Sequence, residues 1–80
     1  MNYLATFHTH FDAVKYLKYI KGITINAVMK PVPRKLSSSC GSCVMFSTDE
    51  NLSLSKLHTT DLDKLYIVND QDFELIAENK

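Results

Sequence analysis

The chain has 80 residues and a mass of 9.1 kDa, enough for one domain with a modest core. Nine Lys and Arg balance nine Asp and Glu, and only one of the nine cations is Arg, which argues against nucleic-acid binding as the main task. The longest stretch without a charged residue is the 13 residues from Leu36 to Thr48, several of them Ser, and a membrane span needs roughly 18 to 20 apolar residues.

An apolar fraction of 45% is ordinary for a folded chain. The opening MNYLATFHTHF has neither a basic start nor a small-residue cleavage site, so no secretory signal is expected. Two Cys cannot form a disulfide scaffold, so the reading is a single domain over residues 1–80, cytoplasmic, with reduced thiols. A chain this small cannot enclose a large substrate cavity, so its chemistry is expected on a surface loop.

Along the chain, Asn2 to His8 reads as a strand from its alternation. Thr9 opens a helix, with Asp12 three residues on as in a capping box. Phe11, Ala13, Val14, Leu17 and Ile20 are expected on its buried side, and Lys21 with Gly22 suits its end. Ile23 to Met29 reads as a second strand, with Ile23, Ile25, Ala27 and Met29 on one face. Pro31 and Pro33 end regular pairing. A small-residue loop follows, then a third strand from Cys43 to Ser47 with Val44 and Phe46 opposite Cys43 and Met45. Thr48 to Glu50 is expected to start a short helix that includes Leu54 and Leu57. Lys64 to Val68 is a fourth strand. After the polar turn at Asn69 to Asp72, Phe73 to Ala77 can pair back as an extra strand or hang as a tail.

The order strand, helix, strand, strand, helix, strand predicts an α/β (α+β) ferredoxin-like sandwich, an antiparallel sheet with two helices on one face. That topology gathers His8 to His10 and the loop from Pro33 to Ser42 at one end of the sheet. Leu4, Thr6, Val28, Cys43, Met45, Tyr66 and Val68 would share the face away from the helices, covered by the C-terminal segment or by a second copy of the chain.

The stretch that can carry chemistry runs from Pro31 to Phe46, PVPRKLSSSCGSCVMF. A working Cys needs a stabilised thiolate and an open approach. Gly41 permits a positive φ or a close approach, loop amides can form an anion-binding nest, and Arg34 and Lys35 supply positive charge. One unit charge at ~6 Å contributes roughly 2.8 kcal/mol at an effective dielectric of about 20, and about a quarter of that in bulk water, so the charge matters most if the loop is partly desolvated.

Pro33, Arg34, Ser38, Cys40 and Gly41, followed by an apolar strand, resemble the signature of a family of small bacterial selenium/sulfur carrier-like proteins, and the opening Phe7 to His10 is similar to that family's start. The resemblance implies that Cys40 receives sulfur or selenium as a persulfide or selenosulfide and passes it to a partner enzyme, with a cysteine desulfurase-like donor and no cofactor. Ser37, Ser38, Ser39 and the loop amides would solvate the terminal anion, Arg34 and Lys35 would offset its charge, and Gly41 would admit the partner. Cys43, which completes a C-x-x-C, could release the cargo by attacking the persulfide.

Other readings fit the same residues. C-x-x-C spacing suits a dithiol–disulfide redox module, although here the motif enters a strand rather than a helix. An interaction domain without thiol chemistry needs only the apolar sheet face, through which a homodimer could form. A Cys2His2 site from Cys40, Cys43, His8 and His10 is less favoured, because His8 and His10 straddle a strand-to-helix transition, and no metal is expected.

Overall fold

In the computed structural model, residues 1–36, 41–49, 54–70 and 72–79 are described. They form β1 (Asn2–Thr6), α1 (His10–Lys21), β2 (Ile25–Pro31), β3 (Ser42–Ser47), α2 (Leu54–Leu57), β4 (Lys64–Asn69) and β5 (Asp72–Glu78). One antiparallel sheet has the order β2-β3-β1-β4-β5. β3 lies between β1 and β2, which is the split of the ferredoxin-like unit. The expected fold class therefore holds, with two additions: the C-terminal segment is a full fifth strand, and α2 is a single turn.

Thr9 caps α1 as its spacing predicts, and its side chain accepts a hydrogen bond from the Asp12 N–H at 3.1 Å. The buried stripe is Ala13, Tyr16 and Ile20, with Leu17 half-buried beside them. Phe11, expected inside, is 69% exposed, and Lys15 stands 5.2 Å from its ring centre. It lies two positions before Ala13, about 200° around the helix, so it misses the i, i+3, i+4, i+7 face that Ala13 begins. Tyr16 takes the buried aromatic place. Its ring packs beside Phe7 and Phe46, and its hydroxyl donates to the Leu57 carbonyl at 2.6 Å. Burial pushes the Tyr16 phenol well above the ordinary tyrosine range, and neighbouring Tyr19 adds to the shift.

The second strand departs from simple alternation. Asn26 has φ 57, and the pairing with β3 slips between Ile25 and Val28. This bulge puts Ile25 opposite Ser47 and Val28 opposite Met45, while Ala27 and Met29 join the helix-side core. Ile25 therefore does not share a face with Ala27, and it is 51% exposed. The single-turn α2 begins at Leu54. Thr48 and Asp49 are not helical, and the rest of the expected start lies outside the described residues. The turn after Asn69 is tight: Asn69 pairs with Asp72, and Asp70 adopts φ 52.

The sheet has two unequal faces. Against α1 lies the main core, in which Tyr3, Ala5, Phe7, Val44, Phe46 and Leu65 meet the helix stripe, with Leu57 and Leu62 closing it. On the other face a small cluster of Leu4, Cys43 and Tyr66 is packed by Val32, Leu36, Met45, Val68 and Phe73. The expected grouping of Leu4, Cys43, Met45, Tyr66 and Val68 on this face is as observed. Val32 and Leu36 belong to the segment leaving β2, which crosses this face as a strap, and Phe73 comes from the C-terminal strand.

Candidate functional site

The loop between β2 and β3 has a well-defined base. Pro31 pairs with Ser42, and one step further the Val32 N–H donates to the Gly41 carbonyl at 3.1 Å. Gly41 takes φ 72, a left-handed conformation that glycine adopts without strain, and nothing lies within 4 Å of where a Cβ would sit. The expectation of a positive φ directly after Cys40 is therefore met. On the other side of the loop, Pro33 to Leu36 forms a turn closed by the Leu36 N–H and the Pro33 carbonyl at 3.0 Å. Leu36 then packs into the small cluster, so the strap is held by an apolar anchor rather than by strand pairing.

The predicted site residues fall in different environments. Arg34 is exposed at the turn, and its guanidinium makes no hydrogen bond or ion pair among the described residues. Lys35 points toward the β4–β5 turn, with Nζ 3.5 Å from Asp72 Oδ1. Ser37, Ser38, Ser39 and Cys40 lie outside the described residues. Cys43 is fully buried in the small cluster, and its Sγ lies 3.6 Å from the Pro31 carbonyl oxygen, a contact in which a thiol donates.

Strand register places Cys43 in a row across one end of the sheet. Lys30 on β2 is its partner on one side and Thr6 on β1 its partner on the other; Thr6 in turn faces Lys64 on β4, and Lys64 faces Glu78 on β5. Thr6 is fully buried, and its hydroxyl has no hydrogen-bond partner among the described residues. The sequence signals only the shared face of Thr6 and Cys43. It cannot give their pairing, because α1, β2 and a long loop separate β1 from β3 and no short turn fixes the register.

The first helix starts at the same end of the sheet, as expected from the topology. His8 Nε2 is 3.1 Å from Asp63 Oδ1, and the Asp63 N–H bonds the Thr6 carbonyl at 2.8 Å. His10 is an exposed first residue of α1. Among the described residues, no three His, Cys, Asp or Glu side chains converge as a metal site. His58 is exposed and meets Asn79, whose amide also bonds the Thr59 and Leu62 carbonyls at 2.7 and 2.6 Å, a tie that fixes the end of β5 to the α2–β4 connection.

No helix among the described residues is long and apolar enough to cross a membrane. Comparison with curated proteins and with solved structures finds no match. The family described as "Putative Se/S carrier protein-like" matches residues 2–68, which includes the whole of the β2–β3 loop and the row around Cys43 as far as Lys64, and the chain belongs to that family.

Proposed function

We propose that the protein is a small thiol carrier, with Cys40 as the residue that accepts sulfur or selenium. The Cys40 thiolate attacks the outer chalcogen of a persulfide or selenosulfide on a donor enzyme of the cysteine desulfurase type. The bond between that atom and the donor's cysteine breaks, the donor leaves as a thiolate, and Cys40 holds the cargo. Delivery repeats the exchange on an acceptor enzyme in the cytoplasm. Family membership supports the carrier role.

The observation that carries the choice of residue is the base of the loop: Gly41 at φ 72, open on its Cβ side and tied to Val32, holds the backbone beside Cys40 in a shape that another residue would strain. Arg34 stands exposed on the same loop to offset the anion, and Ser38 and Ser39 add hydroxyl donors. Lys35 contributes less, because Asp72 draws it toward the β4–β5 turn.

The test is mass spectrometry of a Cys43→Ser variant after incubation with a cysteine desulfurase and cysteine. An added sulfur on Cys40 is the expected result, and an unmodified Cys40 overturns the proposal. A dithiol redox module would instead show only the loss of two hydrogens in the wild-type chain. An interaction domain would show neither change. Its natural surface is the half of the strap face where a depression of about 170 Å³ is lined by Asn2, Asn26, Val28, Lys30 and Met45, and light scattering would reveal a second copy seated there.

A further inference from the structure

We infer that Thr6 is a positioning residue for Cys43, its hydroxyl donating to the Cys43 sulfur when that sulfur is ionised and acts as the resolving nucleophile. The inference rests on the carrier reading for its role and on the sheet for its geometry. Thr6 and Cys43 are direct cross-strand partners on one face, so their Cβ atoms stand about 4.5 to 5.5 Å apart, and both side chains are fully buried. The Thr6 hydroxyl has no hydrogen-bond partner among the described residues. A buried hydroxyl without a partner is destabilising, and valine fills the same space without that penalty. The hydroxyl proton of Thr6 is therefore available to a state of the protein in which the neighbouring strand presents an acceptor.

Cys43 supplies that state. Its contact with the Pro31 carbonyl suits a neutral thiol that donates. Once the sulfur is ionised the same contact becomes repulsive, and a hydroxyl donor stabilises an anion inside an apolar cluster. Thr6 carries an unused hydroxyl on the adjacent strand, at the register position of Cys43. The charged and titratable groups around the pair are Lys30 on β2 beside Cys43, Lys64 on β4 beyond Thr6 and faced by Glu78 on β5, Asp63 with His8 beside Thr6, and Arg34 and Lys35 on the strap, the latter turned to Asp72. The Tyr66 phenol of β4 belongs to the same cluster.

In the step itself, the Cys43 thiolate attacks the inner sulfur of the Cys40 persulfide. The bond between Cys40 and the outer sulfur breaks, that sulfur leaves with the electron pair as hydrosulfide, and a Cys40–Cys43 disulfide remains. No external oxidant is consumed, because the persulfide sulfur is reduced as the thiols are oxidised.

Two measurements on the full chain test this. In a Cys40→Ser background, the rate of Cys43 alkylation by iodoacetamide is followed against pH with Thr6 as threonine, valine or serine; this reads Cys43 alone and does not depend on sulfur loading. Thr6→Val is expected to raise the pH midpoint by about one unit and to slow alkylation at neutral pH about tenfold, and Thr6→Ser is expected to restore both. In the two-cysteine chain loaded with glutathione persulfide, Thr6→Val is expected to slow hydrosulfide release by a similar factor while leaving the urea midpoint equal or higher. An unchanged midpoint for Thr6→Val overturns the inference, as does a Cys43 that is not alkylated at any pH in the folded chain. Failure of Cys40 to accept sulfur, with the Cys43 shift intact, would sink the carrier reading and leave the Thr6–Cys43 pairing standing.

Discussion

The two faces of the sheet are built in different ways. The face under α1 is covered by a helix whose stripe interlocks with the aromatic rings of Phe7, Tyr16 and Phe46, and the cover is locked by the bond from Tyr16 to the Leu57 carbonyl. Among the described residues, the opposite face is covered by a strap of irregular chain and by one side chain of β5. A helix with many buried contacts opens with the whole fold, whereas a cover with fewer buried contacts opens at lower free energy, and the described part of the strap is anchored by Val32 and Leu36. The thiol of Cys43 is on the second face. That sulfur is fully buried at rest, beneath the less regular of the two covers.

The largest separation between the two faces is expected from Leu65→Ala, which empties a fully buried position in the main core. It should lower the unfolding free energy by about 3 kcal/mol in a urea titration and slow exchange throughout the sheet should be lost together. A loss confined to the strap face would mean that the faces are not as unequal as described.

Next in size is Tyr16→Phe, which removes the donor to the Leu57 carbonyl and should cost about 1 to 2 kcal/mol at neutral pH. It carries a pH signature as well. A phenol whose folded-state pKa is raised stabilises the fold fully below its ordinary value of 10.0, and that contribution is lost as pH rises toward the folded value. Wild-type protein should therefore lose stability above about pH 10, and the Phe variant should lose less over the same range, as read from thermal midpoints.

Gly41→Ala should cost about 1 to 2 kcal/mol through backbone conformation alone, since no atom obstructs the added methyl. Its effect should appear first as faster hydrogen exchange at the Val32 amide, which bonds the Gly41 carbonyl, while the α1 amides keep their protection. The smallest effect is expected from Asp72→Asn. Its partner Lys35 and Asp72 itself are both exposed, so global stability should move by less than about 0.5 kcal/mol, with at most a slight rise in exchange at the Leu36 amide.

The sequence was most informative where a local rule and the tertiary fold agree. Thr9 and Asp12 announce the helix start, alternation announces β1 and β3, and Gly41 permits the positive φ that it adopts. It was least informative where a tertiary contact decides. Phe11 and Tyr16 are both aromatic residues near the start of one helix, and only packing against Phe7 and Phe46 selects Tyr16. Asn26 is the visible trace of the β2 bulge, because Asn tolerates a left-handed backbone, yet nothing in the alternation of Ile23 to Met29 requires a slip there. For the candidate site, the loop and its residues are legible as a motif. The neighbours of Cys43 are not, because register across a long loop is settled by the sheet and not by the chain on either side.

The outermost strands of the sheet have a further consequence. On β2 the slip at Asn26 and the missing amide hydrogen of Pro31 interrupt the free edge, and on β5 the exposed carboxylates of Asp72, Glu74 and Glu78 line the other, beside a second irregularity between Leu65 and Tyr66. Each border of the sheet thus discourages an incoming strand from adding itself. Even when many copies are crowded together, a chain built this way resists growth into fibrils.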